Sequence, residues 1–529
     1  MNKINYVILC IIDDVRSTHF YDFINRGLLP NFERLMKNGL YSKICITDFP
    51  SVTYPTQPTI VTGTYTGDYR NELCHGIPSY SWMGRNTVPP ELRSYGGTGS
   101  DEKIQAYKLN EDLGQNCQTF LEMIDDGNCT SLTQFLSRGA DYFYPESKIK
   151  LAFYYLLLKY GRNMKKMMAR ANTVVVEKLL DNFRRPNKYF ESNEAPVGSF
   201  LWFMTADVLL HMFGYDSYIY KLNLLHIDKV MGKLLDGLND LGYLDETAIA
   251  ITTDHGNYKG EKNGKVERIF NHLQLSNYNP KKNPKGLVNI AEYGGVGLFY
   301  FKSKVNYDNG YVWHPPSLEE LRAYGSQKVD VIQKIAEMKS TQLMYFRDNS
   351  SKTSQTGTVH LRRKDPKNGE LIKARIEFKG SGSAFKTRYI IENGETDIFG
   401  YLEDEEAAKL LDNKFHNIQE WTESTYHLDY PLYVDLIARH FKNPRSSDII
   451  ASTQGETIFN IAHGKKKNEN IYTHDIGLRK SAVVPLLIGG SPEIPQKKIP
   501  YCKTTDIVPT LCKLLGIKPH ESVIGKSLI

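Results

Sequence analysis

Residues 5–13 read NYVILCIID, a continuous apolar run that ends in an aspartate. A run of this kind is typical of a central strand in a parallel sheet, because both faces of such a strand are buried. Residues 29–44, LPNFERLMKNGLYSKI, predict a short amphipathic helix that stops at Asn38-Gly39, with a second strand after it. The first part of the chain therefore predicts strands that alternate with helices.

The same alternation continues towards the end of the chain. Residues 220–244 show helical spacing of apolar side chains and lead into ETAIAITTDHG, residues 246–256, which predicts another buried strand. SAVVPLLIGG, residues 481–490, predicts a further strand, and TTDIVPTLCKLLGI, residues 504–517, predicts a closing helix. Together these segments predict an α/β fold with a mostly parallel central sheet sandwiched by helices.

One interruption of this pattern, residues 79–198, predicts a largely helical insertion. Within it, residues 131–143 show helical spacing, and residues 148–185 carry ten Lys or Arg against two acidic residues. This basic stretch is either a solvated helical cap or a face that attracts an anionic substrate or lies on a membrane surface.

A second interruption, residues 257–444, predicts an α+β insertion. It contains GTVHLRRKDPKNGELIKARIEF, which predicts an antiparallel hairpin around Lys367-Asn368-Gly369. The α/β core is then expected to comprise residues 1–78, 199–256 and 445–529.

The composition is that of an ordinary globular protein. The chain has 529 residues, of which 41% are hydrophobic and 24% are charged, and its formal net charge is +6. A charge this small argues against a nucleic-acid binder, whose basic residues would dominate, so no binding to a nucleic-acid duplex is expected. The seven cysteines are scattered and form no CxxC pair, which favours a reducing compartment over a disulfide framework.

The start of the chain bears on where the protein is located. Two aspartates end the first apolar run, which indicates a buried strand rather than a signal peptide. No uncharged apolar run reaches the roughly 18 residues that a membrane-spanning helix needs. We therefore expect a cytoplasmic protein, and export by a route without a cleavable signal stays the open alternative.

Polar side chains gather at or near the carboxyl ends of the predicted strands, where ligands bind in open α/β sheets. Neutral imidazole and carboxylate groups are the usual nitrogen and oxygen ligands of zinc. Asp207 and His211 are four residues apart, so on a helix they would share one face. The candidate ligands of this kind are Asp13, Asp207, His211, Asp254, His255 and His474.

The stretch TDFPSVTYPTQPTIVTG, residues 47–63, has a different character. It holds three prolines and seven hydroxyl side chains. Each proline would remove a hydrogen-bond donor from a sheet ladder, so the stretch is not a core strand. Its hydroxyl groups are instead candidates for a nucleophile.

Taken together, these segments resemble the alkaline phosphatase superfamily, and most closely its type I phosphodiesterase and nucleotide pyrophosphatase branch. The matching motifs are IIDDVR at 11–16, FPSVTYPT at 49–56 with VTG at 61–63, HGI at 75–77, ADVLLHMFG at 206–214 and TDHGN at 253–257. The resemblance covers the first 80 residues, residues 200–260 and the chain from 445 onwards.

The resemblance implies a metal-dependent phosphoric ester hydrolase, specifically a phosphodiesterase/nucleotide pyrophosphatase, with Thr53 as nucleophile. Two divalent ions, zinc or alternatively manganese, would activate the threonine hydroxyl, and the reaction would pass through a phosphothreonine that water then hydrolyses. Asp207, His211 and His474 would hold one ion. Asp13, Asp254 and His255 would hold the other beside Thr53. The partner would be a small anionic phosphoester.

The sequence departs from the family pattern at one point and is ambiguous at another. Thr56 stands where the family has an Asn that helps to hold a phosphoryl oxygen, which makes Thr56 the candidate phosphate-binding residue. There are two candidates for the last histidine ligand. His463 is followed by Gly464 and so gives a His-Gly pair, whereas His474 lies ten residues before Val484, which is the family's spacing. The spacing favours His474.

The same fold is compatible with four other functions. A phosphomonoesterase or a phosphonate hydrolase would use the same site, because substrate choice depends on the insertions. A sulfatase would need a CxPxR-like signature, which the sequence lacks. A catalytically inactive binding member of the fold would be expected to lack some of the metal ligands. In this sequence every ligand position holds an Asp or a His.

Overall fold

Two β-sheets organise the computed structural model of the protein. The structure describes the chain except for residues 1–3, 68–72, 97–104, 134, 148–149, 151–162, 263–269, 271–272, 310, 350–354, 366–367, 393–395, 456, 460–471 and 475.

The described strands are numbered in chain order. They are β1 (Tyr6–Ile12), β2 (Leu40–Ile46), β3 (Ser81–Gly84), β4 (Glu91–Ser94), β5 (Cys129–Leu132), β6 (Tyr142–Tyr144), β7 (Gly198–Phe203), β8 (Thr247–Thr253), β9 (Tyr258–Lys259), β10 (Glu261–Lys262), β11 (Val288–Tyr293), β12 (Val296–Phe301), β13 (Leu343–Arg347), β14 (Thr356–Lys364), β15 (Leu371–Lys379), β16 (Lys386–Ile391), β17 (His416–Asn417), β18 (Ile449–Ser452), β19 (Thr457–Ile458), β20 (Tyr472–Thr473), β21 (Val483–Gly490), β22 (Lys497–Ile499) and β23 (Cys502–Lys503).

The described α-helices are numbered in the same way. They are α1 (Ser17–Asn25), α2 (Pro30–Lys37), α3 (Thr53–Thr62), α4 (Leu109–Asp112), α5 (Met164–Arg184), α6 (Thr205–Phe213), α7 (Tyr218–Asp240), α8 (Leu318–Arg322), α9 (Val331–Glu337), α10 (Glu405–Ala408), α11 (Ile418–Thr425), α12 (Tyr433–Lys442), α13 (Arg479–Ala482) and α14 (Ile507–Leu515).

The central sheet has the order β22-β2-β21-β8-β1-β7-β5-β6, and β23 pairs with β2 beyond β22. All neighbours in it are parallel except β21, which runs antiparallel to both β8 and β2. The predicted α/β fold with a mostly parallel sheet is confirmed.

Strand β1 is central, as its apolar run predicts. It pairs on one side with β7 and on the other with β8. Its alternate residues point to opposite faces: Val7, Leu9 and Ile11 join one core cluster, and Ile8, Cys10 and Ile12 join another. Helices α2 and α7 cover the second of these faces and α14 covers the first, so both faces are buried.

The second sheet is antiparallel throughout, with the order β11-β12-β18-β13-β14-β15-β16-β17. The predicted hairpin is present as β14 and β15, which pair from Thr356↔Lys379 to Lys364↔Leu371. Gly369, in the connection, has φ +75°, a left-handed conformation that glycine adopts without steric cost. Lys367 lies outside the described residues.

The helix predicted over residues 131–143 is wrong. Residues 129–132 form β5 and residues 142–144 form β6, and both join the central sheet. The backbone of β5 pairs in parallel with that of β7, from Cys129↔Gly198 to Leu132↔Leu201. This long-range pairing overrides the local apolar spacing, since local preference for a helix is only a weak prior.

The placement of β5 and β6 bears on the predicted division of the chain, which stays a prediction. These two strands lie within residues 79–198 but belong to the central sheet. Conversely, β18 lies within residues 445–529 and belongs to the second sheet. In the basic stretch 148–185, the described helix α5 spans Met164–Arg184, and much of the remainder lies outside the described residues.

A buried ion pair joins the β3–β4 hairpin to the second sheet. Nη1 of Arg85 donates to both carboxylate oxygens of Asp448, at 2.8 and 2.7 Å. Oδ2 of Asp448 also accepts from the backbone N–H of Phe301 at 2.8 Å. The side chain of Arg85 is 4% exposed and that of Asp448 is 0% exposed, so solvent cannot replace either partner.

Replacing Asp448 by Asn is expected to destabilise the protein by about 3–5 kcal/mol, because it leaves a buried guanidinium charge without its counter-charge. The measurement is the shift of the first unfolding transition in urea. The matched control is Glu337→Gln, which removes the half-exposed partner of Lys334 and is expected to cost less than about 1 kcal/mol. Equal shifts in the two variants would contradict the prediction.

Candidate active site and metal centre

The site lies at the carboxyl ends of β1 and β8. These strands are parallel neighbours, and their last residues, Ile12 and Thr253, are in register. The residues that follow, Asp13 and Asp254, therefore emerge side by side. The sheet register alone is enough to place these two carboxylates together.

Thr53 is positioned by the turn that opens α3. The residue before it, Val52, is extended, and Tyr54 has φ −121° and ψ 116°, which are not helical angles. Thr53 thus lies on a bent segment just before the regular part of the helix. Its Oγ1 lies 3.3 Å from Nε2 of His255, and the residue is 6% exposed.

Side-chain hydrogen bonds hold the segment that carries Thr53. Oγ of Ser51 lies 3.0 Å from Oγ of Ser481 and accepts from the backbone N–H of Gly477 at 3.1 Å. Oγ1 of Thr59, further along α3, donates to Asp48 at 2.8 Å and lies 3.0 Å from Nε2 of His75. The segment is therefore tied at both ends to buried partners.

The first candidate ligand group consists of Asp207, His211 and His474. Asp207 and His211 share one face of α6, as their spacing predicts. Oδ1 of Asp207 lies 3.1 Å from Nε2 of His211 and 3.5 Å from Nε2 of His474. The two Nε2 atoms lie 3.2 Å apart. Nδ1 of His211 lies 2.9 Å from the backbone oxygen of Tyr472, which fixes the ring.

The second candidate group consists of Asp13, Asp254 and His255. Nε2 of His255 lies 3.4 Å from Oδ1 of Asp13 and 3.8 Å from Oδ2 of Asp254. Oγ1 of Thr53 reaches the same nitrogen. The imidazole ring of His255 stacks on that of His474 with the ring centroids 3.9 Å apart, so the two groups are adjacent.

The spacing of these atoms fits a bound cation. Ligands of a tetrahedral zinc ion, with bonds of ~2.0–2.1 Å, lie roughly 3.3 Å from one another. The three edges of the first group, 3.1, 3.2 and 3.5 Å, are close to that separation. Oδ1 of Asp13 and Oδ1 of Asp207 are buried and accept no well-directed hydrogen bond among the described residues, although histidine nitrogens lie 3.4 and 3.1 Å from them. A cation would satisfy both oxygens, which are otherwise costly to bury.

The electrostatics of the site follow from burial and from the crowding of charges. Burial, and after it the neighbouring carboxylates, raise the pKa of Asp13 well above its ordinary value. Burial alone would lower the pKa values of His211 and His255, but Asp207 and Asp254 outweigh it and raise each pKa to about 9. Burial, helped by the charge of His255, lowers the pKa of His474 to about 3. Without a cation, protons on His211 and His255 balance the carboxylates.

The structure does not bring every predicted residue into this cluster. Oγ1 of Thr56 points back along α3, donating to the backbone oxygen of Val52 at 2.7 Å and lying 3.2 Å from that of Thr53. Its hydroxyl group is thus engaged within the helix. His463 lies outside the described residues, whereas His474 lies in the first ligand group.

The structure also adds two residues that the sequence analysis missed. Nε2 of Gln57 donates to Oδ2 of Asp254 at 2.9 Å and holds that carboxylate. Asp14, directly after Asp13, forms a third potential ligand group with His255 and His474. The doubled aspartate in IIDDVR was the signal for Asp14, but no sequence pattern pointed to Gln57.

Comparisons with known proteins give the family and the fold. The model of the family described as type I phosphodiesterase / nucleotide pyrophosphatase matches residues 7–476. A curated relative from Schizosaccharomyces pombe, the uncharacterized pyrophosphatase/phosphodiesterase C725.05c, is 23% identical over 250 residues, which are 47% of this chain and 44% of the relative. The match thus spans less than half of the relative's length.

Solved structures of ectonucleotide pyrophosphatase / phosphodiesterase 5 share the fold. The murine protein matches 97% of this chain and 96% of its own, with a TM-score of 0.53 and 13% identity. The human protein matches 97% of this chain and 95% of its own, with a TM-score of 0.54 and 15% identity. An inactive form of the murine protein, solved in complex with AMP, matches over the same shares of the chains with a TM-score of 0.53 and 13% identity.

Replacing His474 by Ala is expected to reduce the zinc content of the purified protein by about one ion per chain, because each ion has few protein ligands. The measurement is elemental analysis after dialysis against metal-free buffer. The matched control is His226→Ala, whose ring contacts Thr173 and the backbone of Ala169 on α5. His463→Ala is also expected to keep its zinc, and equal losses in the His474 and His463 variants would contradict the prediction.

Proposed function

The chain belongs to the type I phosphodiesterase / nucleotide pyrophosphatase family, and on that premise we propose that it is a metal-dependent phosphodiesterase acting on a small anionic phosphoester. The observation that carries the proposal is the contact of 3.3 Å between Oγ1 of Thr53 and Nε2 of His255. This contact puts the hydroxyl group of Thr53 beside the second candidate ligand group. The site is at the carboxyl ends of the strands, where ligands bind in open α/β sheets.

Two divalent ions, zinc or manganese, complete the proposed site. Asp207, His211 and His474 would hold one ion, and Asp13, Asp254 and His255 would hold the other beside Thr53. When bound, such ions lower the pKa of a coordinated hydroxyl and neutralise charge on the phosphoryl oxygens. The buried oxygens of Asp13 and Asp207, which accept no well-directed hydrogen bond among the described residues, support the assignment.

Thr53 acts as the nucleophile in this proposal. Its Oγ1 forms a bond to phosphorus while the bond from phosphorus to the leaving oxygen breaks, which leaves a phosphothreonine. Water then cleaves the bond between Oγ1 and phosphorus and restores the hydroxyl group. The protein contributes mainly position and charge, as is usual in phosphoryl transfer. Gln57 and Ser51 support this role, because they fix Asp254 and the turn before Thr53.

A nucleotide-type substrate is part of the proposal. The AMP complex of the murine protein, a member with the same fold, supports it. Phosphomonoesters and phosphonates are the competing substrates for the same residues, and an inactive binding protein is the competing function.

Among the described residues, no helix is both long enough and apolar enough to cross a membrane.

A cytoplasmic location is also proposed. None of the seven cysteines forms a disulfide, and all of them are buried, which is the pattern expected in a reducing compartment. Fractionation of cells that make the protein tests this location, and recovery from the secreted fraction would contradict it.

Replacing Thr53 by Ala is expected to lower kcat by at least roughly a thousandfold while zinc content and folding are retained, because a nucleophile acts as a unit with its activator. The measurement is hydrolysis of bis-p-nitrophenyl phosphate by the zinc-loaded protein. The matched control is Thr62→Ala on the same helix, whose hydroxyl group donates to the backbone oxygen of Pro58. A Thr53 variant with a tenth of the wild-type rate would refute the assignment and make Ser51 the next candidate.

Phosphodiesters are expected to be cleaved faster than phosphomonoesters. A monoester dianion brings an additional charged oxygen, which needs further donors. In the nucleophile segment, the hydroxyl of Thr56 is engaged by the backbone and Nε2 of Gln57 by Asp254. The measurement is kcat/KM for bis-p-nitrophenyl phosphate and for p-nitrophenyl phosphate on one preparation. A monoester preference of about tenfold, or ~1.4 kcal/mol, would favour the phosphatase alternative.

A further inference from the structure

Asp14 occupies a backbone position that most residues avoid. Its φ angle is +58°, in the left-handed region. Glycine adopts this region without steric cost, and Asp and Asn are the best tolerated of the other residues. Asp14 is also fully buried. A strained backbone and a buried carboxylate at one residue are both unfavourable, and such features gather at functional sites.

The carboxylate of Asp14 faces the side of His255 that points away from the second ligand group. Nδ1 of His255 lies 3.2 Å from the backbone oxygen of Gly256 and 3.7 Å from Oδ1 of Asp14, so the carboxylate faces this nitrogen as a second, charged neighbour. Asp13 and Thr53 approach the opposite nitrogen, Nε2. Oδ1 also accepts from Nδ2 of Asn257 at 2.7 Å. The backbone N–H of Asp14 donates to Oδ1 of Asp254 at 3.2 Å.

The same carboxylate is close to His474. One oxygen of Asp14, one ring nitrogen of His255 and one of His474 all lie within 4.8 Å of one another. Oδ2 of Asp14 and Nδ1 of His474 are both buried, and neither has a hydrogen-bond partner among the described residues. Because the rings of His255 and His474 stack, one carboxylate can serve both.

We propose that Asp14 is a positioning residue that orients His255 and His474, one histidine from each ligand group, and thereby links the two metal positions. Histidines that bind a metal through one ring nitrogen usually donate the N–H of the other nitrogen to a carboxylate or carbonyl, which fixes the ring and its tautomer. Here the carboxylate of Asp14 would act on two metal ligands, and on His255 it would act together with the backbone oxygen of Gly256. The inference rests on the proposed function, because it assumes that both groups bind metal.

The experiment compares Asp14→Gly and Asp14→Asn with the wild-type chain. Zinc affinity is measured by competition with a chromophoric chelator, zinc stoichiometry by elemental analysis, and thermal unfolding on protein freed of metal with EDTA. The expected result for Asp14→Gly is two ions per chain, bound about 10–100-fold more weakly. Its metal-free form is expected to unfold at a higher temperature, because a left-handed strain and a fully buried carboxylate are removed.

Asp14→Asn keeps the size of the side chain, its tolerance of positive φ and an acceptor for Asn257, but not the charge. It is expected to bind zinc with an affinity between those of the wild type and Asp14→Gly. The matched control is Lys328→Gly, which relieves φ +51° at an exposed position and is expected to raise the unfolding temperature without any change in zinc affinity.

Three results would overturn the inference. Wild-type zinc affinity in Asp14→Gly would show that the carboxylate does not orient the ligands. Loss of one ion per chain in both variants would make Asp14 a direct ligand. A lower unfolding temperature of metal-free Asp14→Gly would make its role structural. Absence of zinc binding by the wild-type protein would instead contradict the proposed function itself.

Discussion

The parallel pairing of β1 with β8 is the constraint on which the rest of the site depends. Because Ile12 and Thr253 are in register, the two strands end level with each other. The next residues, Asp13 and Asp254, therefore lie side by side. A shift of one residue would turn every side chain of a strand to the opposite face. The alternate contacts of β1 with two apolar cores make such a shift very unfavourable, so burial on both faces fixes the position of Asp13.

The second constraint is electrostatic. The site gathers several carboxylates, most of them buried, and such a gathering is unfavourable unless positive charge accompanies it. The carboxylates raise the pKa values of His211 and His255 to about 9, which favours the protonated form of both rings. A metal ion bound by these nitrogens would displace the protons to solvent, so metal binding and proton release would be linked at this site.

Much of this arrangement could be predicted from the sequence because short motifs determine it. Asp254 and His255 follow a strand that is apolar enough to be recognised, and Asp207 and His211 follow the helical period. Residues that depend on contacts distant in the sequence could not be predicted. Residues 131–143 look helical until β5 pairs with β7 and β6 pairs with β5. Gln57 acquires its role only when Asp254 lies beside α3.

The position of β21 in the central sheet has a consequence for how the protein is made. This strand lies between β8 and β2 and pairs with both, yet it comprises residues 483–490. While the chain emerges from the ribosome, β2 has no neighbour at its place in the sheet until residues 483–503 have been synthesised. Strand edges that stay unpaired this long favour aggregation, so the nascent protein is expected to need more protection by chaperones than its finished architecture suggests.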